Sequence, residues 1–176
     1  NFDSDDPSIS ADGRFVTFAG VATNLVAGDT NGTLDVFVRD RQNGTTERVS
    51  VDSAGAEGNS TSWSPSISSD GRFVAFHSVA SNLVAGDTNG AQDVFVHDRL
   101  SATTERVSLS TGGAEGNSVS QFPWLSGDGR LVTFHSNASN LVAGDTNGFS
   151  DIFVRDRLSG TTERVSVATG GAQGNS

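Results

Sequence analysis

Apolar residues occur along this chain in short runs separated by polar, glycine-rich segments. In the first part of the chain these runs predict four strands, over residues 7–10, 14–18, 35–40 and 46–51. The second and third runs are almost continuously apolar, which is typical of strands covered on both faces. In the fourth, Val49 and Val51 alternate with polar residues, as expected of a strand with one face in water. Asp12-Gly13 predicts a two-residue hairpin turn, and residues 42–44 predict another turn before the fourth strand.

This pattern repeats every 58 residues without insertion or deletion. Asp-Gly-Arg, for example, begins at Asp12, Asp70 and Asp128. The chain therefore divides into repeats at 1–58, 59–116 and 117–176. Four antiparallel strands per repeat are typical of a β-propeller blade, whereas solenoid units are usually shorter, at roughly 20–45 residues. We expect an all-β fold with three four-stranded antiparallel blades.

Three blades are too few to close a propeller, which typically has about four to eight. An open arc would leave apolar blade faces in water. Two copies would supply six blades and three copies nine, so a homodimeric six-bladed ring is the expected assembly. The alternative is a longer chain that closes the ring by itself, and the absence of any Met favours a piece of a longer protein.

The repeat resembles a known family. Pro-Ser-Ile-Ser-x-Asp-Gly-Arg from Pro7, Phe-Val-x-Phe from Phe15 and Asp-Val-Phe-Val-Arg-Asp from Asp35 are similar to the PD40, or TolB-like, variant of the WD40-like blade. The resemblance implies a propeller like those of periplasmic interaction proteins and of some peptidases, where it is non-catalytic. It also implies a bacterial, extracytoplasmic setting, periplasmic or secreted. The extra length of this repeat lies in the loop around residues 27–32 and the link at 54–59, where we expect any special activity.

Composition excludes several function classes. The formal net charge of −10 opposes binding to phosphate backbones, so nucleic acid is not an expected partner. The chain has no Cys, which excludes disulfides and thiolate chemistry. No apolar run approaches the roughly 18 residues of a membrane span.

One recurring loop has the residue types of a calcium site. Asp-Thr-Asn-Gly-x-x-Asp places oxygen ligands around a glycine turn, the arrangement that Ca²⁺ prefers. The candidate ligands are Asp29, Asn31, Asp35, Asp87, Asn89, Asp93, Asp145, Asn147 and Asp151. Aligned on the glycine, the first ligand position of a calcium loop falls on alanine in every copy: Ala27, Ala85 and Ala143. The alternative is that these side chains bond their own backbone in Asx-turns without metal.

Other polar and aromatic residues favour structural roles. Asp40-Arg41 and Glu47-Arg48 predict cross-strand ion pairs, repeated at 98–99 with 105–106 and at 156–157 with 163–164. His77 and His135 share a repeat position that holds Ala19 in the first repeat, and His97 matches Arg39 and Arg155, which favours tolerated substitutions over a catalytic or metal site. Trp63 and Trp124 share no repeat position, so packing between blades is favoured over a sugar-stacking platform.

These observations favour a binding protein. Gly-x-Ser-x-Gly, His-Glu-x-x-His and the phosphate-binding Gly-x-x-x-x-Gly-Lys are all missing from the sequence, so we expect no enzymatic activity. The expected function is a scaffold that binds protein or peptide. One alternative is a calcium-assisted, glycan-binding propeller, and another is the propeller domain of a larger exported enzyme.

Overall fold

A computed structural model describes residues 4–174, and within them the chain forms twelve strands. The first blade contains β1 (Ser4–Ile9), β2 (Phe15–Gly20), β3 (Asp35–Asp40) and β4 (Thr45–Arg48). The second contains β5 (Ser62–Ile67), β6 (Phe73–Ser78), β7 (Asp93–Asp98) and β8 (Thr103–Arg106). The third contains β9 (Ser120–Leu125), β10 (Leu131–Ser136), β11 (Asp151–Asp156) and β12 (Thr161–Arg164). Each blade is a four-stranded sheet in chain order with antiparallel neighbours, so the predicted all-β blade architecture is confirmed.

The first hairpin turn is wider than the sequence predicts. Ser10 donates its amide to the carbonyl of Phe15 at 2.9 Å, which leaves residues 11–14 as a four-residue turn. The two-residue hairpin was therefore wrong. The turn is wider because the side chain of Asp12 accepts hydrogen bonds from the Ser10 hydroxyl and from the Arg14 amide, which stabilises a four-residue turn. Gly13 adopts a φ of 71°, which glycine does without strain.

The outer and inner strands also differ from the predicted bounds. β4 ends at Arg48, although the amide of Val49 still donates to Val36 at 2.9 Å. The chain then turns back through the link, where Val51 forms an isolated bridge with Glu57. β1 begins at Ser4, before the predicted start, and contains an irregularity between Asp5 and Ser8.

The core lies between blades. Val38 and Val49 of the first blade pack with Val74 and Phe76 of the second in one buried cluster. A second cluster joins the second and third blades through the equivalent positions, led by Val96, Val107, Val132 and Phe134. The continuous apolar runs of the two middle strands therefore have the predicted cause, burial on both faces.

The first strands of the three blades converge. β1 contacts β5, and β5 contacts β9, so these are the inner strands of the arc. The part of the chain that the structure describes contains no helix that could span a membrane.

Candidate functional site

A buried arginine organises the loop that carries the calcium candidates. Arg48, at the end of β4, is 9% exposed in its side chain. Its Nη1 lies 2.7 Å from a carboxylate oxygen of Glu57, 3.3 Å from Asp35 and 3.5 Å from Asp29. The same guanidinium donates to the carbonyl of Gly28 at 3.1 Å. The loop around residues 27–32 and the link at 54–59 therefore meet around the guanidinium of Arg48.

The arrangement recurs in both later repeats. Arg106 lies 3.2 Å from Asp87, 3.2 Å from Asp93 and 2.9 Å from Glu115. In the third repeat Arg164 lies 3.0 Å from Asp145 and 3.3 Å from Asp151, but Gln173 replaces the glutamate and accepts at 3.0 Å. We call these three groups the arginine clusters.

The asparagine of each predicted calcium set does not present its oxygen to the cluster. Asn31 Oδ1 accepts from the amide of Thr33 at 2.9 Å, which is the Asx-turn foreseen as the alternative. Its Nδ2 donates to Asp35 at 2.9 Å and to the carbonyl of Gly58 at 3.0 Å. Asn89 and Asn147 do the same, so a nitrogen faces each aspartate. The side-chain oxygens left for a metal at this place are therefore those of the carboxylates.

The carboxylates themselves are close enough to share a cation. Oxygens of Asp29, Asp35 and Glu57 lie within 4.8 Å of one another. Burial raises the pKa of Asp35, although Ser50 and Asn31 donate to it. Both carboxylate oxygens of Asp29 are buried and accept no hydrogen bond from the described residues. Arg48 supplies one positive charge to these three carboxylates, at the place where the sequence offers Ca²⁺ as one of two alternatives.

Sequence reasoning brought together the aspartates but missed Arg48 and Glu57. The signal was available, because Arg48, Arg106 and Arg164 recur every 58 residues, as do Glu57 and Glu115. Arg48 was instead assigned to a ladder with Asp40, which is wrong. Asp40 pairs with Arg14 at 2.6 Å, and that guanidinium holds the pKa of the carboxyl well below its usual range. Glu47 pairs across the blade boundary with Arg99.

Two of the three histidines are buried, and one contacts a hydroxyl. His97 Nδ1 lies 2.9 Å from Thr104 Oγ1. The threonine donates to the carbonyl of Val51 at 2.5 Å, so the imidazole must donate to the hydroxyl and cannot take its proton. Arg155 donates to Thr162 in the same way in the third repeat. This histidine therefore replaces an arginine as a donor, and it does not activate a nucleophile.

The inner strands enclose a cavity of about 290 Å³ with a different chemistry. Its lining residues come from all three blades: Asp6, Pro7, Ser8, Ser64, Pro65, Phe122, Pro123 and Trp124. We call this the axial pocket. Phe122 is 45% exposed and Trp124 is 69% exposed. Packing of Trp124 between blades stays a prediction, since no blade follows the third among the described residues. A carboxylate, that of Asp6, lies on the same surface and accepts from Ser64 at 3.1 Å.

The backbone of the axial pocket is strained at one position per blade. Asp6, Ser64 and Phe122 occupy equivalent positions and have φ of 53°, 50° and 54°, each before a proline. Such values cost non-glycine residues roughly 1–3 kcal/mol and tend to occur at functional sites. They turn these side chains toward the axis at the irregularity in each inner strand.

A buried histidine supports the aromatic side of the pocket. His77 is fully buried, with its ring centroid 4.3 Å from Trp63 and 5.4 Å from Phe122. Its Nδ1 accepts from the amide of Phe122 at 3.3 Å. Burial lowers the pKa of His77 to about 4, so the ring is neutral at pH 7 and can accept this bond.

Other cavities are less suited to a specific ligand. Grooves of about 550 and 340 Å³ lie between successive links and loops, and half of the residues that line them are polar and none is aromatic. They repeat from one boundary to the next, whereas the aromatic pair of the axial pocket occurs once. Aromatic side chains beside a few polar groups are the usual composition of a binding site.

Comparison with known proteins identifies the fold. No protein-family description matches the chain, and no curated protein matches it either. Among solved structures, TolB from Acinetobacter baumannii matches with a TM-score of 0.57 at 18% identity, over 97% of this chain and 34% of that chain. A putative TolB from Agrobacterium tumefaciens matches with a TM-score of 0.60 at 20% identity, over 93% of this chain and 49% of that one. The propeller domain of the Trilobed protease from Pyrococcus furiosus matches with a TM-score of 0.56 at 13% identity, over 93% and 42%.

This chain therefore spans one third to one half of the length of these structures. The identities are too low to carry a function, but the agreement covers nearly all of the chain. Together with the three four-stranded blades, it shows that this chain has the TolB-like β-propeller fold.

Proposed function

We propose that this chain is a non-catalytic binding module that holds an extended segment of a partner protein in the axial pocket of a ring completed by further blades. The observation that carries the proposal is the exposure of Phe122 and Trp124 beside the carboxylate of Asp6. Exposed aromatic residues in a concave site commonly supply most of the energy of protein recognition. The negative carboxylate, on a chain of net charge −10, favours a partner segment with cationic side chains.

The repeat itself offers a matched control for this proposal. Ser64 stands at the position of Phe122 in the second repeat, and Ser66 stands at the position of Trp124. The double variant F122S/W124S therefore gives the third blade side chains that this backbone already accepts, at the same positive φ. It removes the aromatic surface without introducing a new residue type.

The test is selection of ligands from a displayed peptide library on the wild-type chain, followed by calorimetry on wild type and F122S/W124S. We expect basic peptides that contain an aromatic or proline residue, with affinity reduced more than tenfold in the variant. Light scattering on the same samples separates loss of binding from loss of assembly. Equal affinity for both proteins would refute an axial site.

Calcium-assisted glycan binding is the second candidate. It is favoured by Asp29, whose buried oxygens accept no hydrogen bond from the described residues, next to Asp35 and Glu57. Against it, the guanidinium of Arg48 already lies among the three carboxylates and offsets one of their charges. Titration of the chain with Ca²⁺, and a glycan array with and without chelator, decide the matter. A calorimetric heat of Ca²⁺ binding that disappears in Asp29→Asn would support this candidate. Absence of both Ca²⁺ binding and glycan binding would refute it.

A propeller of a larger exported enzyme is the remaining candidate. It is suggested by the match to the propeller domain of a protease. In that case the axial pocket would hold the substrate segment while another domain performs the chemistry. A periplasmic or secreted location is part of all three proposals, and fractionation of the native source tests it.

A further inference from the structure

The two boundaries between blades are built from the same contacts. Arg157 of the third blade lies 2.6 Å from Glu105 of the second, and Arg99 of the second pairs with Glu47 of the first. The amides of Ala11 and Ser69 each donate to a carbonyl of the following blade, at 3.0 and 2.8 Å. One interface is thus used twice, with the preceding blade supplying the glutamate and the following blade supplying the arginine.

The outer faces of the arc carry the two halves of this interface. Val49 and Val107 are 0% and 1% exposed where a following blade covers them, but the equivalent Val165 is 44% exposed. On the opposite side Ile67 is 8% exposed, and the equivalent Ile9 is 56% exposed. The apolar residues left uncovered at the two ends are therefore those that pack against each other inside the arc.

The charges at the two ends are complementary in the same way. Arg41 of the first blade is the repeat equivalent of Arg99 and Arg157, and Glu163 of the third is the equivalent of Glu47 and Glu105. Within residues 4–174 neither Arg41 nor Glu163 forms an ion pair. Each lacks the partner that its counterparts have.

We propose that in solutions of this 176-residue chain a second copy covers both faces, so that the third blade of each copy docks on the first blade of the other. The contacts of the internal boundaries, including one pair between Arg41 and Glu163 at each junction, then form twice more. Two copies give a closed ring of six blades with a two-fold axis, within the range of known propellers. This closure does not depend on what the axial pocket binds.

The junction between copies is weaker than an internal boundary at one position. Arg99 lies over the ring of Phe15 at 4.3 Å, and Arg157 lies over Phe73 at 4.4 Å. Leu131 occupies the equivalent place in the third blade, so Arg41 has no aromatic ring to cover. The dimer therefore dissociates on dilution before the blades separate within a chain.

The main experiment is sedimentation velocity of the 176-residue chain over a range of concentrations. We expect a dimer that dissociates on dilution. Arg41→Glu and Glu163→Arg should each weaken association, and the double variant R41E/E163R should restore it because every junction regains an opposite pair. Leu131→Phe should tighten the dimer roughly 5- to 30-fold, since each dimer contains two junctions and each regains a cation–π contact.

A folded monomer at all concentrations, a stoichiometry other than two, or single charge reversals without effect would each overturn the proposal. Circular dichroism of every variant checks that it remains folded. Recovery of the dimer in R41E/E163R shows that the single variants fail through loss of the ion pair.

Discussion

Phe15 of the first blade packs its ring against the backbone of Gly71 in the second. A Cβ on Gly71 would lie within 3.0 Å of three atoms of that ring, closer than real Cβ contacts allow. Gly13 has nearly the same φ, 71° against 74°, but its nearest neighbours would be 3.9 Å away. Substitutions at Gly13 and Gly71 can therefore separate the energetic cost of a positive φ from the cost of overpacking the boundary between blades.

We expect Gly13→Ala to lower the free energy of unfolding by about 1 kcal/mol, the cost of alanine at positive φ. Gly71→Ala should lower it by roughly 1–3 kcal/mol more, because the added methyl overpacks the boundary. Urea denaturation of both variants measures the difference. Equal losses would mean that the ring of Phe15 moves aside freely.

The arginine clusters predict a large and local effect. Arg106→Ala leaves Asp87, Asp93 and Glu115 without a compensating cation, and such removal typically costs about 3–5 kcal/mol. Arg130→Ala is the control, because that arginine is 50% exposed and pairs only with Asp156, which should cost less than about 1 kcal/mol. Chemical denaturation compares the two. A small loss for Arg106→Ala would show that the carboxylates are protonated or separately compensated.

Phe37 tests the placement of β3 inside the blade stack. It is fully buried and packs on Phe18 with ring centroids 5.8 Å apart. Phe37→Asp should abolish folding or assembly, since an unpaired buried carboxylate costs several kcal/mol. Phe149→Asp, at a loop position that is 54% exposed, should leave the melting temperature almost unchanged. Similar melting of both variants would contradict the position of β3.

The buried histidines predict a pH dependence between pH 6.5 and about 4. Because burial lowers the pKa of His77 to about 4, the unfolded chain binds more protons than the folded one in this window. Stability should therefore fall as the pH falls, by roughly 3 kcal/mol for His77. Burial also lowers the pKa of His97, which acts in the same direction.

His77→Ala places in the second repeat the residue found at position 19, and His97→Arg the residue found at 39 and 155. In the double variant, the free energy of unfolding should depend much less on pH between 6.5 and about 4. Denaturation curves recorded at a series of pH values measure this dependence. Stabilisation by Asp40, Asp98 and Asp156, whose pKa values their arginine partners hold low, should persist until the pH falls below about 4. If the free energy of unfolding of the double variant changes with pH as much as that of the wild type, groups other than these two histidines cause the pH dependence.

The fold could be predicted from the sequence because each strand is indicated by a short local pattern, and the same patterns occur in all three repeats. Strand patterns lie within 4–6 residues, and a period of 58 confirms each one twice. The first turn was predicted too narrow because the bonds of Asp12 to Ser10 and Arg14 were not considered. Knowledge of the motif Asp-Gly alone does not distinguish the two turn lengths.

The candidate site was less predictable because its contacts join distant parts of the chain. Arg99 and Glu47 are 52 residues apart, and Thr30 and Glu57 are 27 apart. The repeat shows that such residues recur but not which of them meet. The axial pocket was missed for the opposite reason, since Phe122 and Trp124 break the repeat. Trp124 was predicted to pack between blades, and Phe122 was not considered.

The strictly constant spacing of the blades has a consequence for how such a chain can change in length. Since each 58-residue unit carries the arginine of one boundary and the glutamate of the next, a unit copied or deleted as a whole leaves matched surfaces on either side of the cut. Blade number is then not encoded in the chemistry of any boundary. Recombination between whole units can therefore enlarge or shrink the array without a new interface.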